Sequence, residues 1–375
     1  MMELNCLCDI YSGYAFKSFN DTSDGIPVIK IGNILSDGTI ELTDCVYTEE
    51  VPKEKYYSKK DDIYIALSGA TTGKIGVMQT DGLYVINQRV GIIRNKGKIP
   101  NDYLKYFLVS KSNQILKEAS GCAQPNISPK QISKYDISIQ TEEKMLLITQ
   151  QLKKIEVILQ NYRNQIDLLD ELVKARFVEM FGDMKPTVKL NKYIIELRAG
   201  KSLAGNEICK NKVLKTGAAT FGFFDKDQYK YYPKEYKPNP LHKVETGDVI
   251  ISRMNTPELV GACSYVYEAP DNTYYPDRLW KVIVNENTNP IFLWQLMWQQ
   301  EIRKQIKENS YGTSGTMNNI SKIKLLNINA IDVPISLQNQ FADFVKEVDK
   351  SRLEVQKSLK KTQELFDSLM QKYFG

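Results

Sequence analysis

Apolar residues fall at Ile148, Leu152, Ile155, Leu159, Tyr162, Ile166, Leu169 and Val173, in strictly alternating steps of four and three. That spacing is the seam of a coiled-coil helix. It predicts a helix over roughly 142–181, about 60 Å long at 1.5 Å per residue. The seam recurs 193 residues later as Phe341, Val345, Val348, Arg352, Val355, Leu359, Thr362 and Phe366, with two polar interruptions, Arg352 and Thr362. Two such helices bury their stripes most economically against each other, holding two globular units at a fixed separation.

Elsewhere the pattern is one of short strands and shorter helices. Residues 26–31, 62–67, 74–78, 84–87 and 90–93 read as strands between Gly and Asp punctuation. Residues 101 to about 119 read as a helix with Tyr103, Leu104, Phe107, Leu108, Ile115 and Leu116 on one face. Matching strands are expected at 213–216, 248–252, 265–267 and 279–284, followed by a helix from about 291 to 308. The fold class is α/β, mixed α+β.

These matches are parts of one internal repeat. Asn126-Ile127-Ser128 returns as Asn319-Ile320-Ser321, and Met180-Phe181-Gly182 as Tyr373-Phe374-Gly375, both at a shift of 193; upstream the shift drifts to 189 and 186 as loop lengths change. Four segments are expected: a globular domain over 1–140, its helix over 141–184, a second domain over 185–336 and a second helix over 337–375.

Composition mainly excludes. The chain has 375 residues, 42% apolar and 25% charged, which fits a globular protein of two or three domains. No leader and no apolar run long enough to span a bilayer is evident, so a cytoplasmic location without membrane contact is expected. Six cysteines without a C-x-x-C read as free thiols, and the single histidine, His242, rules out motifs that need two. The net charge of +5 is uneven: residues 1–140 carry 16 Lys/Arg against 16 Asp/Glu, and residues 185–336 carry 21 against 15. Only the second domain hints at a polyanionic partner.

No catalytic motif survives scrutiny. Ser68 to Gly76 resembles a phosphate loop but has one residue too few before Gly73-Lys74 and Ile75 where a Mg²⁺-binding Ser/Thr is needed, and it lies between two strands. Pro276-Asp277-Arg278-Leu279-Trp280-Lys281 lacks the second acid of a metal-dependent nuclease, and its repeat mate Asn87-Gln88-Arg89-Val90 has none. No cofactor fingerprint is present, so no cofactor and no metal site are expected.

In order and twice over, these residues resemble a known family, the DNA specificity (S) subunits of type I restriction-modification systems. The resemblance rests on Gly121 to Ser128 with a helix ending Met180-Phe181-Gly182-Asp183, and on Gly315 to Ser321 with Val333-Pro334-Ile335-Ser336-Leu337-Gln338-Asn339-Gln340 opening the second helix. The first copy departs from the family pattern, having Ile139-Gln140-Thr141-Glu142-Glu143 where a Pro and a Gln usually precede the helix. The resemblance implies a non-catalytic subunit whose two target-recognition domains read the halves of a bipartite, asymmetric site in double-stranded DNA, with an antiparallel coiled-coil helix pair setting the gap. Two methyltransferase (M) subunits and the restriction (R) subunits would supply the chemistry.

Polar or basic residues at strand ends and loop tips are the candidate DNA contacts: Lys30, Asn33, Thr71, Thr72, Lys74, Gln88 and Arg89 in the first copy, and Lys215, Thr216, Arg253, Asn255, Tyr275 and Arg278 in the second. Arg89 and Arg278 lead because they are repeat mates and arginine is the commonest bidentate reader of guanine. Tyr231, Tyr232 and Tyr236 lie in a basic, Pro-bounded stretch that could follow the DNA backbone. Two other readings stay open: a coiled-coil scaffold or adaptor with two protein-binding heads, and a self-sufficient nuclease, which Mg²⁺-dependent cleavage would reveal.

Overall fold

The four-and-three seams wind into two helices of 40 residues each, Glu142–Phe181 (α4) and Ile335–Phe374 (α8). The computed structural model describes residues 1–21, 24–119, 125–312 and 317–375. The chain divides into two units, residues 1–164 with 356–375, and residues 165–355. Each long helix therefore belongs to one unit at its start and to the other at its end. The sequence motifs at Gly121–Gln124 and at Gly315-Thr316, including the Cys122 thiol, lie outside the described residues.

In the first unit the strands are Met2–Glu3 (β1), Cys8–Ser12 (β2), Ile26–Ile29 (β3), Val46–Thr48 (β4), Ile63–Ala66 (β5), Ile75–Val77 (β6), Val85–Ile86 (β7), Val90–Asn95 (β8) and Asp136–Ile137 (β9). An antiparallel sheet runs β2-β8-β5-β6, and a smaller one β4-β3-β7, with β3 and β7 parallel. In the second unit they are Pro186–Lys189 (β10), Ile194–Ala199 (β11), Lys212–Leu214 (β12), Tyr229–Tyr231 (β13), Val249–Ser252 (β14), Met254–Asn255 (β15), Cys263–Tyr265 (β16), Thr273–Tyr274 (β17), Leu279–Val284 (β18), Asn318–Asn319 (β19) and Asn329–Ile331 (β20). Their sheets run β11-β18-β14-β16 and β13-β12-β17, again with the last pair parallel. The two main sheets of each unit thus share one strand order.

Each unit is layered. Ile63 and Ile65 on β5 pack among Tyr103, Phe107 and Leu104 of the helix Asn101–Ser110 (α1), while Tyr64 and Ala66 face Ile29 and Ile86 of the small sheet. With both faces covered, Ile-Tyr-Ile-Ala reads as an unbroken apolar run rather than an alternation. Val249-Ile250-Ile251 does the same in the second unit, splitting between the cluster around Phe292 and the one around Leu214.

The helix expected over 101–119 is two helices, α1 and Ser112–Ala119 (α2), and the one expected over 291–308 is Pro290–Met297 (α5) and Gln300–Asn309 (α6). At both breaks a side chain is tethered elsewhere. Lys111 Nζ donates to the Phe374 carbonyl (3.0 Å), and the Trp298 indole donates to the Cys263 carbonyl (2.8 Å). The strands expected at 26–31 and 213–216 stop early because Ile31–Asn33 and Thr216–Ala219 coil into 3₁₀ turns, and the one expected at 265–267 lies at Cys263–Tyr265.

The repeated Asn-Ile-Ser has three jobs. Its Asn pairs with the chain leaving β5 or β14, as Asn126 with Ser68 and Asn319 with Met254. Ile127 and Ile320 are buried. Ser128 and Ser321 then cap the short helices Pro129–Ile132 (α3) and Lys322–Leu326 (α7), each hydroxyl accepting an N–H three residues on at 3.3 Å.

Arg352, an interruption in the seam, is an ion-pair junction. Its guanidinium binds Asp170 of α4 and, at 3.0 Å, Asp349 of its own helix; Asp349 also accepts the Tyr267 hydroxyl.

Candidate functional site

Three segments stack at one end of each large sheet and place an arginine there. In the second unit the Arg278 carbonyl accepts Arg253 N–H (3.0 Å), and the Arg253 carbonyl accepts Ile320 N–H (3.1 Å). In the first, the Arg89 carbonyl accepts Leu67 N–H (2.8 Å), and the Leu67 carbonyl accepts Ile127 N–H (2.9 Å). These carbonyls are therefore spent within the fold, and both arginine side chains are left exposed just before β8 and β18.

In the second unit Arg278 lies on a groove of about 610 Å³ whose lining includes Lys215, Thr216, Gln228, Lys230 and Asp277. Lys215 N–H donates to the Gln228 carbonyl (2.8 Å), which holds the two walls of one loop together. The Asp277 carboxylate is engaged by the Ser202 hydroxyl. Three cations face one occupied anion, so the groove suits an anionic ligand that also offers hydrogen-bonding edges. Three residues expected from sequence meet here; Ser202, Gln228 and Lys230 were not expected. The only signal for Lys230 was its place between Tyr229 and Tyr231 in a basic stretch.

Lys30 is the repeat mate of Lys215, each preceding a 3₁₀ turn. Asn87 N–H donates to the Ile29 carbonyl (3.0 Å), so the backbone of Lys30 runs beside that of Gln88 and Arg89. Gln88 is exposed; Lys30 is half-buried with its ammonium 4.3 Å from the centre of the Phe19 ring.

Several other candidates have structural work. Asn33 is buried, its amide donating to the carbonyls of Glu41 (3.0 Å) and Asp44 (2.9 Å) and its oxygen accepting Lys30 N–H (2.8 Å). Thr72 is buried, its hydroxyl on the Gly69 carbonyl (2.7 Å) in the β5–β6 hairpin. Tyr275 is fully buried, its hydroxyl donating to Asp248 (3.0 Å). Thr71, Lys74, Arg253 and Asn255 are half-buried, and Arg253 lies 5.8 Å from the Trp280 ring. Of the tyrosine stretch, Tyr232 is a core residue whose hydroxyl donates to the Lys201 carbonyl (2.8 Å), with Tyr236 packed on its ring.

Lys281, the lysine of the nuclease-like stretch, is buried and paired with Asp248 (3.0 Å) and Glu245. Burial pushes the Asp248 carboxyl up, against the pull of the Glu245 N–H and of Lys281. Its repeat mate Asp62 is clasped by Arg94 through two hydrogen bonds of 2.7 and 2.6 Å. The cation has moved two residues along the strand and so stays on the same face; the pair is a structural device kept in both units. Among the described residues no group of three His, Cys, Asp or Glu could hold a metal ion, and no helix is long and apolar enough to cross a membrane.

Residues 1–174 match the family model of the type I restriction modification DNA specificity domain. No curated protein matches the chain. Among solved structures, the chain is similar in fold to the S subunit of the type I restriction-modification system from M. genitalium, with 14% identity and a TM-score of 0.58, covering 100% of this chain and 95% of that one. It is also similar to a chain solved in work on complex assembly and conformational transition of the type I R-M system, with 16% identity, a TM-score of 0.51, and 100% and 96% coverage. Residues 1–174 thus match the type I restriction modification DNA specificity domain, and the chain along its whole length shares the fold of a type I restriction-modification S subunit.

Proposed function

We propose that this chain is the DNA-reading subunit of a type I restriction-modification complex. Domains 1–140 and 185–336 each read one half of a split, asymmetric target in double-stranded DNA, and the helical segments 141–184 and 337–375 set the gap. The chain itself catalyses nothing; methyltransferase and restriction subunits perform the chemistry. One observation carries the reading: the same strand end in both units presents an exposed arginine, Arg89 or Arg278, close in the fold to the lysine of a 3₁₀ turn. Duplicated arginines on one scaffold suit direct readout of two half-sites, with lysines on phosphates fixing position.

Exposed apolar side chains on α4 support the partners. Leu147 and Val157 in the first unit, and Leu168 and Val178 in the second, are each more than half exposed, which suits a helix that docks protein on its outer face. Two copies of one reading unit argue for two methyltransferase subunits. Expressing the chain with its methyltransferase in a host lacking other adenine methylation, and sequencing the methylated sites, should return one bipartite, asymmetric motif. An undivided motif, or DNA binding without salt dependence, would overturn the reading.

A further inference from the structure

The loop Phe221-Gly222-Phe223-Phe224, carried on stems that line the groove of the second unit, exposes two aromatic rings. Phe221 is 70% exposed and Phe223 50%. Single exposed apolar residues are ordinary, but this loop is held rigidly. The Gly222 carbonyl accepts the Trp294 indole N–H (3.1 Å), Asp225 N–H donates to the Ala218 carbonyl (3.0 Å), and Phe224 packs into the core around Leu214. Gly222 has a φ of +85°, the left-handed conformation that lets the chain turn between the two rings. The stems of the loop, Thr216-Gly217 and Gln228, line the groove that holds Arg278, Lys215 and Lys230.

We infer that Phe221, backed by Phe223, is a wedge that inserts into the base stack at the second half-site. The inference rests on the proposed DNA reading and names what that site does to its ligand. The cations of the groove hold the duplex against the loop, and a preorganised aromatic ring is the kind of side chain that enters and kinks a base step, because stacking on it offsets part of the lost base–base stacking. A rigid loop spends little conformational entropy when the ring inserts. In the first unit the loop after its own 3₁₀ turn, residues 34–39, has no aromatic residue and exposes Leu35, and the exposed Phe19 ring there is covered by the Lys30 ammonium. The distortion is therefore confined to the second half-site.

The test uses the full chain in complex with its methyltransferase subunits. Duplexes carry the methylated motif, with 2-aminopurine placed in turn at each position of both half-sites except the methylated bases. Binding should raise fluorescence at one step of the second half-site and nowhere in the first. Phe221→Ala should abolish that rise and weaken binding about tenfold, while Phe221→Trp retains it. Three outcomes would overturn the wedge: bound duplex with flat fluorescence at every position, an unchanged signal in the Phe221→Ala, Phe223→Ala double variant, or loss of subunit assembly in that variant, which would assign the loop to a protein contact. If no duplex is bound by the wild-type complex, the DNA reading itself fails along with the wedge, and the wild-type binding measurement separates that case from the others.

Discussion

Arg89 and Arg278 show how a side chain becomes available for recognition: the carbonyl of each is hydrogen-bonded into the sheet end, and the side chain is left exposed. If each is a base contact, Arg278→Ala should relax reading of the second half-site alone and cost about 1–3 kcal/mol, with Arg89→Ala doing the same to the first. Methylation sequencing of the two variants checks this. Uniform weakening across sequences, with a smaller salt slope, would make that arginine a phosphate contact instead. Tyr275 stands next in sequence to Pro276-Asp277-Arg278 yet is fully buried. Nothing in its local sequence distinguishes a tyrosine that caps a buried carboxylate from one that faces solvent, because its partner, Asp248, is 27 residues away.

At the scale of elements, two glycines mark where chain segments cross. A Cβ on Gly13 would lie 2.2 Å from the Ile86 carbonyl oxygen, and one on Gly200 would lie 1.8 Å from that of Tyr275. Both sit just past the strand that edges the large sheet, against the end of β7 or β17. Only the absence of a side chain allows so close an approach to a backbone that cannot move without breaking its sheet. Gly13→Ala and Gly200→Ala should each destabilise the protein by at least ~1–3 kcal/mol, seen as a lower urea midpoint. Gly32→Ala, whose Cβ meets nothing within 4 Å, should stay within about 0.5 kcal/mol. Loss of less than that at Gly200 would mean the crossing is looser than it stands here.

At the scale of the whole molecule, the two long helices end in equivalent ways. Phe374, at the end of α8, packs in the first unit on Tyr103 and Phe107, with ring centres 5.0 and 6.4 Å away. Its repeat mate Phe181, at the end of α4, packs in the second unit on Phe292, the mate of Tyr103, at 5.6 Å. A chain of residues 1–183 would lack Phe374 but carry Phe181, which a second copy could insert in its place. That chain should form an isologous dimer, measurable by native mass spectrometry. With its methyltransferase it should methylate an inverted repeat of the first half-site, since target symmetry follows protein symmetry. A monomer, or a direct repeat, would contradict this exchange.

The periodicity of the long helices, the duplication and the alternation of strands with loops were legible without coordinates, because each depends on local spacing that recurs along the chain. So was the equivalence of Arg89 and Arg278, which needs only the repeat register. Short strands such as β11 and β13, the breaks at Lys111 and Trp298, and the role of Arg352 were not. Each depends on a partner distant in sequence: β18 for β11, β12 for β13, the Phe374 carbonyl for Lys111, Asp170 for Arg352. The candidate site divides the same way. That polar and basic residues gather at strand ends could be read from the chain. Which of them turn outward was decided by the packing of two sheets, which buries Asn33, Thr72 and Tyr275 and gathers Lys215, Lys230 and Arg278 on one groove. Burial is a property of what lies on the other side of a residue, and only the tertiary fold supplies that.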